Sequence, residues 1–131
     1  MTPYHFSVTL HGDFDDIVGR TKEALAGEGF GVLAEIDVAA TLKAKIGAEL
    51  PRYLILGACN PPLAKQAIEH EPAIGTLLPC NVLVRDAEGS IVVDFMDPGA
   101  VLDLVANPGI SKVAEEVRTK LEMGRDSLAT H

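Results

Sequence analysis

Both cysteines of this chain are followed by asparagine where an apolar segment ends or begins. Cys59-Asn60 closes the segment that starts at Tyr53, and Cys80-Asn81 opens a later one. If these segments are antiparallel strands, both thiols lie at the same end of a sheet. Cys59 also precedes a predicted helix, whose positive N-terminus favours a thiolate. The pattern allows inert packing, a reactive or ligand-contacting thiol, or a disulfide, whereas its spacing resembles neither a thioredoxin motif nor a zinc knuckle.

A second group of polar residues alternates along the first two predicted strands. His5 and His11 lie on the polar face of the first strand, and Glu35 and Asp37 on that of the second. If the strands are neighbours, imidazoles and carboxylates converge, as in a divalent metal site or an acid–base pair. A solvated outer face or a polar dimer interface would show the same pattern, because half-exposed strands alternate in this way.

Periodicity predicts the elements that must position these residues. Alternating apolar and polar residues predict strands, and apolar residues at helical spacing predict helices. The predicted strands are 4–10, 32–37, 52–59, 81–85 and 91–96. The predicted helices are 14–27, 39–46, 61–71, 98–106 and 108–123, and the polar tail 124–131 is expected to fray.

The order of these elements predicts an α/β fold. βαβ units together with one hairpin, whose loop spans 86–90, predict a two-layer sandwich with a mixed sheet and helices on one face. We expect residues 1–131 to form one domain, because the chain contains no repeat and no linker. An open sheet face that carries Leu33, Leu54 or Leu56 among polar residues predicts a homodimer.

Composition narrows the classes of partner. Lys and Arg total 11 against 19 Asp and Glu, the formal net charge is −8, and aromatic residues make up only 5%. A phosphate backbone would be repelled and bases would find few stacking platforms, so we expect no nucleic-acid partner. No apolar run approaches the ~20 residues of a membrane span, so we expect no membrane partner. Two cysteines without a signal-peptide pattern predict free thiols and a cytoplasmic location.

Several segments together resemble the domain of unknown function 302 family, which comprises small α/β proteins without an established activity. The resemblance is carried by 31–38, 41–47, 53–62, 77–84 and Asp97-Pro98. It implies a compact two-layer α/β domain that often self-associates, and it implies no reaction. His5 and His11 lie outside the strongest match. The polar residues inside the matching segments are Glu35, Asp37, Thr41, Lys43, Cys59, Asn60, Cys80 and Asn81.

The preferred interpretation is a cytoplasmic, homodimeric domain that binds a small ligand or serves as an accessory domain. Its pocket would lie at the Cys59/Cys80 end of the sheet, with hydrogen bonds from Asn60 and Asn81. Lys43 would neutralise an acidic group of the ligand. One alternative is a thiol enzyme or thiol-redox protein, with one cysteine as nucleophile and the other resolving it. Another is a structural partner domain without a ligand. No cofactor is predicted.

Overall fold

The computed structural model describes residues 3–130, which form five strands and five α-helices. The strands are β1 (His5–Leu10), β2 (Gly31–Asp37), β3 (Tyr53–Cys59), β4 (Cys80–Ala87) and β5 (Ser90–Met96). The helices are α1 (Phe14–Gly27), α2 (Val38–Ile46), α3 (Pro61–His70), α4 (Pro98–Val101) and α5 (Pro108–Ala129). Two short 3-10 helices, Pro72–Leu77 and Leu102–Leu104, follow α3 and α4.

The five strands form one sheet in the order β1-β5-β4-β3-β2. The two-layer α/β prediction is confirmed, but every neighbouring pair is antiparallel, so the expectation of a mixed sheet is wrong. The reason is that α1 carries the chain from one edge of the sheet to the other. It does not return β2 beside β1 in a parallel βαβ unit.

The core lies between the sheet and the helices. Alternate residues of the three central strands face the helices, and Leu56, Val82 and Phe95 are fully buried there. Helix α5 spans this layer and buries one apolar stripe, which runs from Ile110 to Leu128. The stripe follows helical spacing, which is why the sequence predicts this element from its apolar residues alone.

The C-terminal segment is helical, so the predicted frayed tail 124–131 is wrong over the described residues. Helix α5 continues to Ala129, and Leu128 is only 2% exposed. Gly124 is also buried, at a contact with the backbone of Ala24 in α1. Among its polar residues, this segment carries apolar residues that continue the same stripe. Residue 131 of the predicted tail lies outside the described residues.

The β4–β5 hairpin has a two-residue turn, whereas the sequence predicted a loop over 86–90. Ala87 pairs with Ser90, which leaves Glu88 and Gly89 as the turn. Both turn residues have positive φ, at 46° and 92°. A two-residue turn with this handedness follows the right-handed twist of its strands, so both strands extend further than their composition indicates.

A bulge in β2 changes which side chains lie on each face of the sheet. The pairing with β3 shifts between Val32 and Ala34, so Leu33 is the extra residue. After the bulge, Glu35 pairs with buried Leu56 on the helix side, and Leu33 itself is 72% exposed. Leu54 and Leu56 therefore face the helices, and their predicted place on the open face is wrong.

The opposite face of the sheet is largely open to solvent, and we call it the open face. The residues that the strand register assigns to it include His5, Ser7, Thr9, Ala34, Ile36, Tyr53, Ile55, Gly57, Asn81, Leu83, Arg85, Ala87, Ser90, Val92, Asp94 and Met96. It mixes apolar and polar side chains, as the sequence predicted for this face. Over residues 3–130, no helix is long and apolar enough to cross a membrane.

Candidate functional site

An apolar cavity of about 430 Å³ lies at the end of the sheet where β3 ends and β4 begins. Strands β3 and β4 are antiparallel, and Ala58 pairs with Cys80, so both cysteines lie at this end. Both are free thiols, and both line the cavity. The geometric expectation that antiparallel strands would bring the two cysteines to one end therefore describes the structure.

The cavity walls come from the sheet end, from α3 and from α5. The buried wall residues are Phe30, Ala58, Leu63, Ala67, Cys80, Leu102, Val113 and Val117. Leu33 at the bulge and Ile68 on α3 also line the cavity and are 72% and 50% exposed, so they mark its opening to solvent. The α3 and α5 residues were not among the predicted site residues, although the small side chains of Ala64 and Ala67 on one side of α3 could have indicated a cavity there.

Gly57 allows the segment before β4 to form part of this wall. A Cβ atom at Gly57 would lie 3.0 Å from Cγ of Pro79 and 3.6 Å from Cβ of Ala34. Pro79 and Ala34 both line the cavity. The glycine is therefore required by close approach, and a larger residue would push the wall outwards.

The two thiols differ in their surroundings. Cys80 is 5% exposed, whereas Cys59 is half-buried. Burial, together with the nearby Cys59, raises the pKa of the Cys80 thiol to about 11. Cys80 is therefore a neutral thiol near pH 7 and contributes apolar wall surface, as a buried cysteine commonly does.

Asn60 lies at the cavity, but both ends of its side chain have partners within the protein. Its Oδ1 accepts a hydrogen bond from the Leu63 backbone N–H at 3.4 Å, which caps α3. Its Nδ2 donates to the Glu28 carbonyl oxygen, also at 3.4 Å. Asn60 therefore ties the start of α3 to the end of α1 and shapes the cavity, as a capping residue would.

Four other predicted site residues are absent from the cavity wall. Asn81 is exposed on the open face. Lys43 pairs with Glu49 at 3.3 Å, and Glu35 pairs with Lys22 at 2.9 Å. Asp37 caps α2 by accepting from the Ala40 N–H at 2.9 Å. The β2 bulge moves Glu35 to the helix side of the sheet, and Asp37 serves as the N-cap of α2.

The predicted metal constellation does not assemble. β1, which carries His5 and leads to His11, and β2, which carries Glu35 and ends at Asp37, form opposite edges of the sheet with three strands between them. Among residues 3–130, no group of three or more His, Cys, Asp or Glu side chains could hold an ion. The error comes from assuming that strands consecutive in sequence are neighbours in the sheet.

His5 instead joins a polar cluster that sequence analysis missed. Ser7 donates its hydroxyl hydrogen to Asp94 Oδ1 at 2.5 Å, and Arg85 Nε donates to Asp94 Oδ2 at 2.7 Å. His5 Nδ1 lies 3.2 Å from the Ser7 hydroxyl oxygen and 3.6 Å from the Asp94 carboxylate. Asp94 is 9% exposed. The sequence feature that could have indicated this cluster is Asp94, a single carboxylate within the apolar run of β5, because a buried charge needs partners.

The chain is similar in sequence and in structure to proteins of one family. The family model of the domain of unknown function DUF302 matches residues 6–128 of the chain. The chain is also similar to a crystal structure of an uncharacterized conserved DUF302 protein from Bacillus stearothermophilus, with 25% sequence identity and a TM-score of 0.89. That similarity covers 96% of this chain and 98% of the other. Among curated proteins, none matches this chain.

Proposed function

This chain belongs to the DUF302 family, and from its cavity we propose that it binds a small, uncharged, largely apolar molecule at the Cys59/Cys80 end of the sheet. The observation that carries the proposal is an apolar cavity of about 430 Å³ with two free thiols in its wall. This volume falls within the ~300–1,000 Å³ of typical small-molecule sites.

The chemistry of the wall selects the ligand class. The lining residues include no Lys, Arg, Asp or Glu within the described part of the chain. Lys43, the cation expected from the sequence, pairs with Glu49 outside the cavity. A charged ligand would lose its hydration without gaining a counter-ion, and this loss is costly in an apolar site. The polar side-chain groups in the cavity wall are the two thiols and the Asn60 amide, which already makes hydrogen bonds within the protein.

The burial of Cys80 supports a binding role over the thiol-redox alternative. A resolving cysteine must attack as the thiolate, and a pKa of about 11 leaves Cys80 almost entirely protonated near pH 7. Cys59 remains available to contact a ligand. The proposed role of the domain is therefore to hold a molecule.

We also propose that the protein forms a homodimer and is located in the cytoplasm. Exposed apolar side chains on the open face, including Ile36 at 51%, support self-association. Two free cysteines support a reducing compartment, because thiols persist there.

Fluorescence titration with the neutral probe N-phenyl-1-naphthylamine tests the ligand site. We expect saturable binding of one probe per chain. Ala64→Phe should weaken this binding at least tenfold, because Ala64 lines the cavity. Ala26→Phe is the control at an exposed position of α1, outside the cavity wall, and should bind as the wild type does. Equal affinity in all three proteins would place the probe elsewhere and refute the proposed site.

Displacement of the probe tests the ligand class. 1-Decanol and decanoate have the same chain length and differ in charge. We expect the alcohol to displace the probe at a concentration at least tenfold lower, because no cation lines the cavity over residues 3–130. Stronger displacement by decanoate would contradict the uncharged class.

A further inference from the structure

The two thiols in the cavity wall lack hydrogen-bond partners among residues 3–130. Cys80 is only 5% exposed and lines the cavity. A thiol can donate one weak hydrogen bond and can also accept one. A donor that is buried without a partner in the protein can be satisfied by a bound molecule, so Cys80 indicates a ligand that carries a hydrogen-bond acceptor.

The strand register places the two cysteines beside one another. Ala58 pairs with Cys80, and Cys59 is the next residue of β3. Partner Cα atoms of an antiparallel pair lie ~4.5–5.5 Å apart, and Cys59 is one position diagonal to that pair. Cys59 is also close enough to contribute to the raised pKa of Cys80. Because both side chains line the same cavity, one small functional group of a ligand can contact both thiols.

The two thiols differ in what they can do to such a group. Burial and the nearby Cys59 raise the pKa of Cys80 to about 11, so near pH 7 Cys80 can donate a hydrogen bond but cannot attack as a thiolate. Cys59 is half-buried, and a thiol in this position can add to an electrophilic carbon of a molecule in the cavity. A ligand that uses both thiols has an electrophilic carbon bonded to an acceptor oxygen, which is the arrangement of a carbonyl group.

The start of α3 limits what addition by Cys59 can lead to. Pro61 and Pro62 occupy the first two positions of the helix and have no N–H group. The first N–H group of the helix, that of Leu63, donates to Oδ1 of Asn60. Stabilisation of an oxyanion requires free donors, and the first turn of α3 provides none. The site therefore favours an adduct whose oxygen is protonated over an acyl-transfer intermediate.

The cavity wall selects among carbonyl compounds. Its lining residues include no charged side chain within the described part of the chain, which disfavours a carboxylate. Phe30 is the only aromatic residue among them over residues 3–130, and the remaining wall is mainly aliphatic. An ester would need the oxyanion donors that α3 lacks in order to expel its leaving group. An aliphatic aldehyde is uncharged, has no leaving group and matches the wall.

We propose that the ligand is an aliphatic aldehyde, which Cys59 binds as a reversible hemithioacetal while Cys80 donates a hydrogen bond to its oxygen. The sulfur of Cys59 forms a bond to the carbonyl carbon, the π bond of the carbonyl group opens onto the oxygen, and the proton of the thiol ends on that oxygen. No group leaves and no electron is lost, so the addition needs no further reactant. The inference rests on the proposed function and names the functional group of its uncharged ligand.

Displacement of N-phenyl-1-naphthylamine by decanal and by 1-decanol tests the roles of the two thiols. The wild type should need at least tenfold less decanal than 1-decanol, because only the aldehyde forms a bond to Cys59. Cys59→Ser should bring the two compounds within threefold and leave the 1-decanol value within threefold of the wild type. Cys80→Ala should reduce the preference for decanal at least threefold, because it removes the hydrogen bond to the carbonyl oxygen.

Carbon-13 NMR provides a second measurement, which observes the new bond in the wild type itself. Decanal labelled with carbon-13 at its carbonyl carbon should give a new resonance of a carbon bonded to both oxygen and sulfur. Cys59→Ser should lack this resonance, whereas the hydrate of decanal, which forms in water without protein, should appear with both proteins. An adduct that persists in Cys59→Ser, such as an imine with a lysine, would overturn the assignment to Cys59.

Failure of this inference is distinguishable from failure of the proposed function. A wild type that binds neither the probe nor 1-decanol would overturn both. A wild type that binds 1-decanol but shows no preference for decanal, or a preference that Cys59→Ser retains, would overturn the aldehyde alone. A preference that Cys80→Ala leaves unchanged would overturn the role of Cys80.

Discussion

Cys59 and Cys80 line the same cavity but should differ in reactivity. Cys80 is buried and its pKa is raised to about 11, from the ordinary value of 9.0. A rise in the pKa of a thiol lowers its thiolate fraction, and at pH 8 this rise lowers that fraction by about 100-fold. Cys59 is half-buried, so a reagent in solution can reach its thiol more readily than that of Cys80.

We therefore predict that iodoacetamide modifies Cys59 before Cys80 in the native protein at pH 8. Labelling of Cys80 should accelerate as the pH rises toward 11, and at pH 8 it should accelerate at least ~100-fold on denaturation. Peptide mass spectrometry over a pH series measures both rates, with Cys59→Ser and Cys80→Ser as controls. Native labelling of Cys80 at the rate of Cys59 would show that Cys80 is not a buried wall residue.

The sequence allowed the two cysteines to be placed at one sheet end, since each stands at the boundary of an apolar run. It did not reveal the role of Asn60, because a cap and a ligand-binding amide use the same residue type. Asp94 was missed for a different reason. Its partners Ser7 and Arg85 lie on two other strands, and their contact depends on strand order.

At the scale of the elements, the two asparagines that follow the cysteines should differ in their effect on stability. Asn60 caps α3 and bonds to Glu28, whereas Asn81 is exposed on β4. Asn60→Ala should lower the free energy of unfolding by ~1 kcal/mol, the usual cost of losing an N-cap. Asn81→Ala should change it by less than ~0.5 kcal/mol, as is usual at the surface.

Urea denaturation monitored by circular dichroism measures this difference. The two variants serve as controls for each other, because each removes one asparagine that follows a cysteine. An Asn81→Ala variant as destabilised as Asn60→Ala would mean that Asn81 has a structural role that its exposed position does not indicate.

Element types were largely predictable from periodicity and caps. Asn60 with Pro61 begins α3 as expected, and Asp97 with Pro98 begins α4. The bulge at Leu33 was not predictable, because Val32 to Asp37 alternates without interruption in sequence. A single inserted residue exchanges the two faces of a strand, so it removed Glu35 from the predicted polar face.

At the scale of the whole molecule, strand order decides which predicted sites exist. Local patterns carry no information on which edges β1 and β2 occupy, because that order results from long-range pairing. The antiparallel order separates the histidines of β1 from the carboxylates of β2 and brings β3 beside β4. It thereby removes the metal hypothesis and creates the cavity at the cysteine end.

The cavity at the cysteine end should hold an apolar molecule in the native protein. Native mass spectrometry of freshly isolated protein tests this most directly, with wild type and Ala64→Phe prepared in parallel. We predict a wild-type dimer of twice 13.9 kDa with additional mass from a retained, uncharged ligand that organic solvent extracts. The filled variant should lack the added mass but remain dimeric. The same retained mass in Ala64→Phe, or a wild type that neither retains nor takes up an apolar molecule, would contradict a binding role for the cavity.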